Sequence, residues 1–307
     1  MDRSDTFKCL FLFLDGVGIG TSDADVNPLF RAKLPVLQSL LTGRMPDKKN
    51  PRRSSRLAEC VPLNATLGVS GLPQSGTGQI ALFTGVNAAK IFGRHFGPYA
   101  PTTLRPVLEE HNILKKLKQR GCNVVFTNPY PPQFFSYMEQ HPTRISVSTL
   151  ASTMAGIPLL TDQELKNNQA VAADITRSRW NELGFTNVGT VTPQEAGAHL
   201  AEITAQNDVT LFEYWLPDHA GHAGSMDHAV EIMERFDGLL EGVLKTCNLE
   251  RTTIVITSDH GNIEDLSKKT HTRNRVPCIV IGRKRETAQA LRSLMDVPRF
   301  ILSLFDE

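Results

Sequence analysis

The sequence predicts a three-layer α/β/α fold on a doubly wound, mostly parallel sheet. Two observations lead there. Short continuous apolar runs, such as 7–14, close on glycine or polar residues, the pattern of strands buried on both faces. Between them lie stretches with apolar residues at helical spacing, such as 104–120 and 225–246, so strands and helices alternate.

Taken in order, 7–14 is a strand ending in Asp15-Gly16, and 28–41 is a helix packed on the sheet. Residues 45–56 are polar, with Lys48, Lys49, Arg52, Arg53 and Arg56, and form a loop. A second strand occupies 58–67. The Gly/Pro/Ser/Thr turn at 71–78 leads into a helix of small residues at 79–86. The amphipathic helix 104–120 is stopped by Gly121 and followed by a strand at 122–127. Residues 128–192 are less regular, with Tyr130, Phe134, Phe135 and Tyr137 among prolines. They read as a small insertion over one end of the sheet, within a single domain of residues 1–307. Helix 193–205, strand 208–215, helix 225–246, strands 252–257 and 276–281, and helix 285–305 complete the chain.

Composition narrows the function classes. Hydrophobic residues make up 40% and charged residues 21%, which excludes global disorder. Lys+Arg (33) and Asp+Glu (32) nearly cancel to a net +1, which argues against nucleic acid as a partner. Cysteines 9, 60, 122, 247 and 278 are odd in number and form no CxxC pair. They read as reduced thiols in a cytoplasmic protein rather than a disulfide framework or a cysteine metal site. The first apolar run is too short for a secretory signal, and no run approaches a membrane span.

Four segments carry chemistry, three of them at the ends of predicted strands, where open α/β sheets place their sites. Asp15-Gly16 ends the first strand; taken alone, such an aspartate caps the next helix as readily as it binds a ligand. Ser75-Gly76-Thr77-Gly78-Gln79 opens a helix, where the dipole favours an alkoxide or a phosphate, although an ordinary N-cap has the same residue types. Asp218 and His222, four residues apart after the strand at 208–215, reach one cation from a single helical turn. Asp259-His260-Gly261-Asn262 follows the strand at 252–257, and His271 downstream can return to the same cleft. Together these place three aspartates, three histidines and a serine on one rim.

The order DG, SxxGQ, DxxxH, DHGN and HTxxxVP resembles the alkaline phosphatase superfamily. It is most similar to the branch holding cofactor-independent phosphoglycerate mutase and phosphopentomutase. The resemblance covers 9–24, 71–90, 209–240 and 252–282, with 296–304 similar to that superfamily's last helix. It implies an alkaline phosphatase-like fold and two divalent metal ions (Zn, Mn or Mg). Asp218, His222 and His271 would hold one, and Asp15, Ser75, Asp259 and His260 the other. Ser75 would be ligand and nucleophile, forming a phosphoserine on the way to products. Thr77 is the competing hydroxyl.

Two departures shape the expected reaction. Gln79 stands where the mutases carry histidine. The stretch between the nucleophile helix and the strand at 208 is too short for the large mutase cap, which shields the intermediate from water. The expectation is therefore a hydrolase of small phosphoesters, a phosphatase or phosphodiesterase, with a phosphomutase as runner-up and a non-catalytic metal-binding protein as the reading of another class. Lys90, Arg94, His95 and Arg273 are candidate contacts for the substrate's anionic groups, and His219 is expected outside the metal shell.

Overall fold

The computed structural model describes residues 6–306. Seven strands form one sheet: β1 (Lys8–Leu14), β2 (Arg53–Ser54), β3 (Ala58–Leu63), β4 (Val124–Phe126), β5 (Val209–Tyr214), β6 (Thr252–Ser258) and β7 (Val276–Gly282). Their spatial order is β2-β3-β7-β6-β1-β5-β4. The stretch β4-β5-β1-β6 is parallel, whereas β7 runs antiparallel to β6 and β3 antiparallel to β7.

β1 lies between β5 and β6, and every one of its residues is buried. Cys9, Phe11 and Phe13 join one apolar layer, and Leu10, Leu12 and Leu14 the other, so its unbroken hydrophobic run serves two faces. On the first face the helix Ser75–Thr84 sets the Phe83 ring edge-on to Phe13 at 6.0 Å and tilted to Phe11 at 6.1 Å. On the second, the helices Pro193–Gln206 and Met226–Thr246 bury Leu200, Phe236, Leu239 and Leu240. Each such side chain taken from water contributes about 1.5–3 kcal/mol.

Register matters most for the site. Leu14 is level with Tyr214 of β5 and with Ser258 of β6. Asp15, the segment after Tyr214 and Asp259 therefore emerge at one height on the same rim.

Three helices expected to be continuous are broken. The stretch 104–120 is two helices, Arg105–His111 and Ile113–Gln119. Between them Asn112 accepts from the Leu114 N–H at 2.9 Å and donates to the Ala151 carbonyl at 2.7 Å, so a buried side chain restarts the chain. The stretch 28–41 divides into Pro28–Arg31 and Pro35–Leu40, the second restarted by its proline. In the C-terminal stretch a 3₁₀ turn, Arg285–Ala290, precedes the helix Asp296–Ser303, whose first carboxylate accepts the N–H groups of Arg292 and Ser293.

The segment 128–192 carries four short helices, Pro132–Gln140, Val147–Met154, Asp162–Lys166 and Ser178–Glu182. Leu165, Ala170, Ala172, Trp180 and Val188 form a small cluster of their own. Among the described residues no helix is long and apolar enough to cross a membrane.

Candidate metal centre and cleft

Each motif is held on the rim by a local reason. Asp15 leaves β1 through Gly16, whose φ of 74° lies in the left-handed region and whose added Cβ would sit 2.7 Å from the Asp218 Cβ. Asp218 and His222 lie on the helix Leu216–Ala223, with Pro217 in its first turn. They are one turn apart, and their side chains approach to 3.4 Å. After β6, the Gly261–Thr272 bridge folds the loop back and returns His271 to the rim.

The helix that carries Ser75 begins at that residue, earlier than the glycine-rich sequence suggests. An added Cβ on Gly76 would lie 2.2 Å from the Tyr99 carbonyl oxygen, so only glycine lets the loop at 96–99 pack here. Thr77 exchanges bonds with Phe96: its N–H donates to the Phe96 carbonyl, and its hydroxyl accepts the Phe96 N–H at 3.1 Å. Thr77 is fully buried in that task, whereas the Ser75 hydroxyl faces the cleft, 2.9 Å from His260 Nε2.

Around Ser75 the polar atoms are mostly acceptors. His271 Nδ1 lies 2.8 Å from the Pro73 carbonyl and His222 Nδ1 3.3 Å from the Lys269 carbonyl. A carbonyl only accepts, so both rings carry their proton on Nδ1 and, when neutral, present a lone pair at Nε2. Those two Nε2 atoms are 3.1 Å apart, and each is 3.4 Å from an oxygen of the Asp218 carboxylate. Only a proton or a metal cation can reconcile three such acceptors. On the other side of His260, its Nε2 lies 3.2 Å from Asp15 Oδ1 and 3.5 Å from Asp259 Oδ2. Both of those buried oxygens, and His260 Nδ1, lack a hydrogen-bond partner.

Ligand atoms of Asp218, His260 and His271 all lie within 4.8 Å of one another, as do those of Asp15, Asp259 and His260. His260 is common to both clusters, whereas the sequence expectation set His222 with Asp218 and His271; His222 Nε2 lies beside the first cluster, 3.1 Å from His271, and the Ser75 hydroxyl lies 2.9 Å from His260. Orphaned buried oxygens beside histidine lone pairs, in an Asp/His/Ser donor set, fit divalent cations.

The charges are strained accordingly. Burial, with Asp259 and Asp218 nearby, pushes the Asp15 carboxyl well above its ordinary range. Burial also opposes the Asp218 charge, but His271, His260 and the Asn262 amide hold its carboxyl well below the usual range. Asn262 Nδ2 donates to Asp218 Oδ1 at 2.7 Å.

Ser75 and Asp218 border two openings. One, a cleft of about 360 Å³, is also lined by Tyr130, Phe134, Tyr137, Arg144 and Trp215. The other reaches His222 and Lys269. The four cationic candidates line neither opening. Arg273 donates to the Gly71 carbonyl at 3.0 Å and His95 lies 3.3 Å from the Val69 carbonyl, so both brace the loop before the helix Ser75–Thr84. Arg94 lies over Phe92 and Phe96, and Lys90 is exposed on its short helix. His219 is exposed and edge-on to Trp215.

Three side chains that matter carry no sequence signal of their own. Glu264, fully buried, accepts the N–H groups of Gly18 at 2.9 Å and Asn262 at 2.7 Å, and also takes Thr272 Oγ and Asn274 Nδ2. It thereby knots together the loops after β1 and β6 and the approach to β7. Glu213, near the end of β5, is buried on the cleft wall and accepts from the Ser148 hydroxyl. Burial raises its carboxyl from 4.5 to about 7 despite that bond. Arg144 reaches the cleft from the loop between the helices Pro132–Gln140 and Val147–Met154.

A profile of the metalloenzyme superfamily matches residues 7–306. Over shorter stretches the chain is similar to 2,3-bisphosphoglycerate-independent phosphoglycerate mutases, the branch suggested by the motif order. Identity is 32% over 110 residues with the enzyme of Psychrobacter arcticus and 33% over 115 residues with that of Desulforudis audaxviator. These alignments cover 34% and 35% of this chain but 20% and 22% of those enzymes, so the chain spans about a fifth of the length of the curated relatives it matches. Among solved structures, a Pyrococcus horikoshii protein superposes with a TM-score of 0.59 at 14% identity, covering 97% of this chain and 96% of that one. A cold-active alkaline phosphatase from Shewanella superposes with a TM-score of 0.55 at 12% identity, covering 97% and 100%. Those superpositions show an alkaline phosphatase-like fold. Because the family profile runs from β1 through the last helix, the chain belongs to the metalloenzyme superfamily.

Proposed function

We propose that the protein is a metal-dependent phosphoryl-transfer enzyme that hydrolyses small phosphoesters through Ser75. The observation that carries the reading is the position of the Ser75 hydroxyl, at the start of a buried helix and 2.9 Å from His260 in a cluster of unpaired acceptors. Asp218, His222 and His271 would hold one divalent cation, and Asp15, Ser75, Asp259 and His260 a second. Such cations, when bound, lower the pKa of a coordinated hydroxyl and neutralise charge on the phosphoryl oxygens.

The chain's own part is positioning. The Ser75 oxygen forms a bond to phosphorus as the bond to the leaving oxygen breaks; the serine proton goes to solvent, and the departing alkoxide takes a proton from water. Water then attacks the phosphoserine, releasing phosphate and restoring the hydroxyl. The positive end of the helix dipole at Ser75 favours the anionic group throughout. Water as acceptor is supported by the small size of the segment 128–192, which lines the cleft with the short helix Pro132–Gln140, none of whose residues is fully buried, and with Tyr130, Arg144, Ser146 and Thr149 beside it. Unpaired cysteines at all five positions favour a reducing, cytoplasmic setting.

A second reading, phosphoryl transfer back to the substrate, is favoured by the names of the two relatives described above, both phosphoglycerate mutases. One experiment addresses both. Metal-loaded wild type and Ser75→Ala are incubated with phenyl phosphate, bis-nitrophenyl phosphate and 3-phosphoglycerate. Serine-dependent phosphate release supports the hydrolase. Isomerised phosphoglycerate without free phosphate supports the mutase. Activity unchanged in Ser75→Ala sinks both.

A further inference from the structure

The cleft beside Ser75 has one wall that phosphoryl transfer does not require. Tyr130 stacks on Phe134 with ring centroids 4.2 Å apart and an interplanar angle of 18°; Phe134 in turn faces Tyr137 at 6.3 Å and 23°. The three rings thus form a nearly parallel array lining the same cavity as Ser75. Tyr130 is fixed in place by a 2.7 Å bond between its hydroxyl and Thr149 Oγ1. Phe134 and Tyr137 project from the helix Pro132–Gln140, none of whose residues is fully buried; both are half-buried and line the cleft, with Tyr137 also resting against the main core. Apolar surface held open to water at the mouth of a site is stabilised when a ligand covers it.

Arg144 completes the wall. It is exposed and lines the cavity, and among the described residues its guanidinium makes no ion pair. A planar cation without a carboxylate, next to a ladder of aromatic rings, matches a ring ligand carrying hydrogen-bond acceptors.

We propose that this wall sets the substrate class: phosphate esters whose organic group is a planar aromatic ring, stacked on Phe134 and Tyr137, with Arg144 on the ring's acceptor edge and the phosphoryl group at Ser75. The proposal deepens the phosphoryl-transfer reading and rests on it for the placement of the phosphate.

The test separates the two. Binding of phenyl phosphate and of ethyl phosphate is measured calorimetrically on the metal-loaded Ser75→Ala protein, alone and combined with Phe134→Leu or Tyr137→Leu. Leucine keeps apolar bulk and removes the ring face, and melting curves confirm that each variant is folded. The expected result is at least tenfold tighter binding of phenyl phosphate than of ethyl phosphate. Either leucine variant should lose about tenfold for phenyl phosphate and nothing for ethyl phosphate, in the range that stacking on an aromatic side chain supplies. In the Ser75 enzyme the same substitutions should raise KM for the aryl ester and leave kcat within about twofold. Equal affinity for the two esters, or equal loss of both, overturns the wall. Ring-selective binding without any turnover by the Ser75 enzyme would uphold the wall and sink phosphoryl transfer instead.

Discussion

His222 and His271 aim their Nε2 atoms at each other across 3.1 Å while each Nδ1 is tied to a backbone carbonyl. The pair is pre-set to receive a cation and poorly arranged without one. Zn or Mn supplied at about 100 times its dissociation constant should therefore stabilise the protein by about 2.7 kcal/mol. His271→Ala should remove most of that gain. Calorimetric melting with and without chelator checks this, and a melting temperature indifferent to metal would refute the centre.

Glu213 gives a pH signature in the metal-free protein. Its carboxyl is raised from 4.5 to about 7, so the folded state binds this proton more tightly than the unfolded state does. The associated stability is fully present below about 4.5 and is lost as pH rises through about 7. Glu213→Gln stays neutral throughout, so by pH 8 it should be more stable than wild type by about 3 kcal/mol, with no difference at pH 4. Urea denaturation across that range reads the difference. Parallel pH profiles for the two proteins would sink the assignment.

Gly76→Ala places a methyl 2.2 Å from the Tyr99 carbonyl oxygen and 2.7 Å from that of Phe96, both of them backbone atoms. Relief requires the helix start to move, carrying Ser75 with it. Stability should fall by about 2–3 kcal/mol, and kcat by tenfold or more through the displaced hydroxyl. Full activity in a destabilised variant would show that the Ser75 position tolerates this shift.

Glu264 accepts from four donors, Gly18 in the loop after β1 and Asn262, Thr272 and Asn274 in the connection between β6 and β7. In Glu264→Gln the amide nitrogen faces donors on one side, which removes two bonds at about 1–1.5 kcal/mol each. Metal affinity should drop about 10–100-fold although no candidate ligand is altered, as for other residues that orient ligands from behind. Isothermal titration with Zn distinguishes this from global unfolding, and unchanged affinity would make Glu264 purely structural.

The sequence reveals some of this architecture and hides the rest for physical reasons. The candidate rim residues are legible because strands buried on both faces read as apolar runs, and the residue just past such a run lands at the sheet's edge. Asp15 and Asp259 are found this way, and Asp218 lies on the helix that opens directly after β5. Arg144 and Glu213 are not legible. Their place on the cleft depends on the path of the segment 128–192 and on the burial of one acid in an otherwise ordinary strand. Asn112 shows the same limit for helices: local propensity favours one continuous helix, while a bond to the distant Ala151 carbonyl supports the break. Lys90, Arg94, His95 and Arg273 stand close to motifs in sequence, but a side chain's reach is fixed in space.

The reversed direction of β7 has a consequence for how the centre can change. Because β7 starts where β6 stops, the chain needs no crossover between them, and residues 259–275 remain on the rim as one continuous arch. That arch carries Asp259, His260, Asn262, Glu264 and His271 together. A lengthened or shortened arch would remodel access to the candidate metal centre without rethreading any strand, and its fraying would loosen both candidate clusters in a single event.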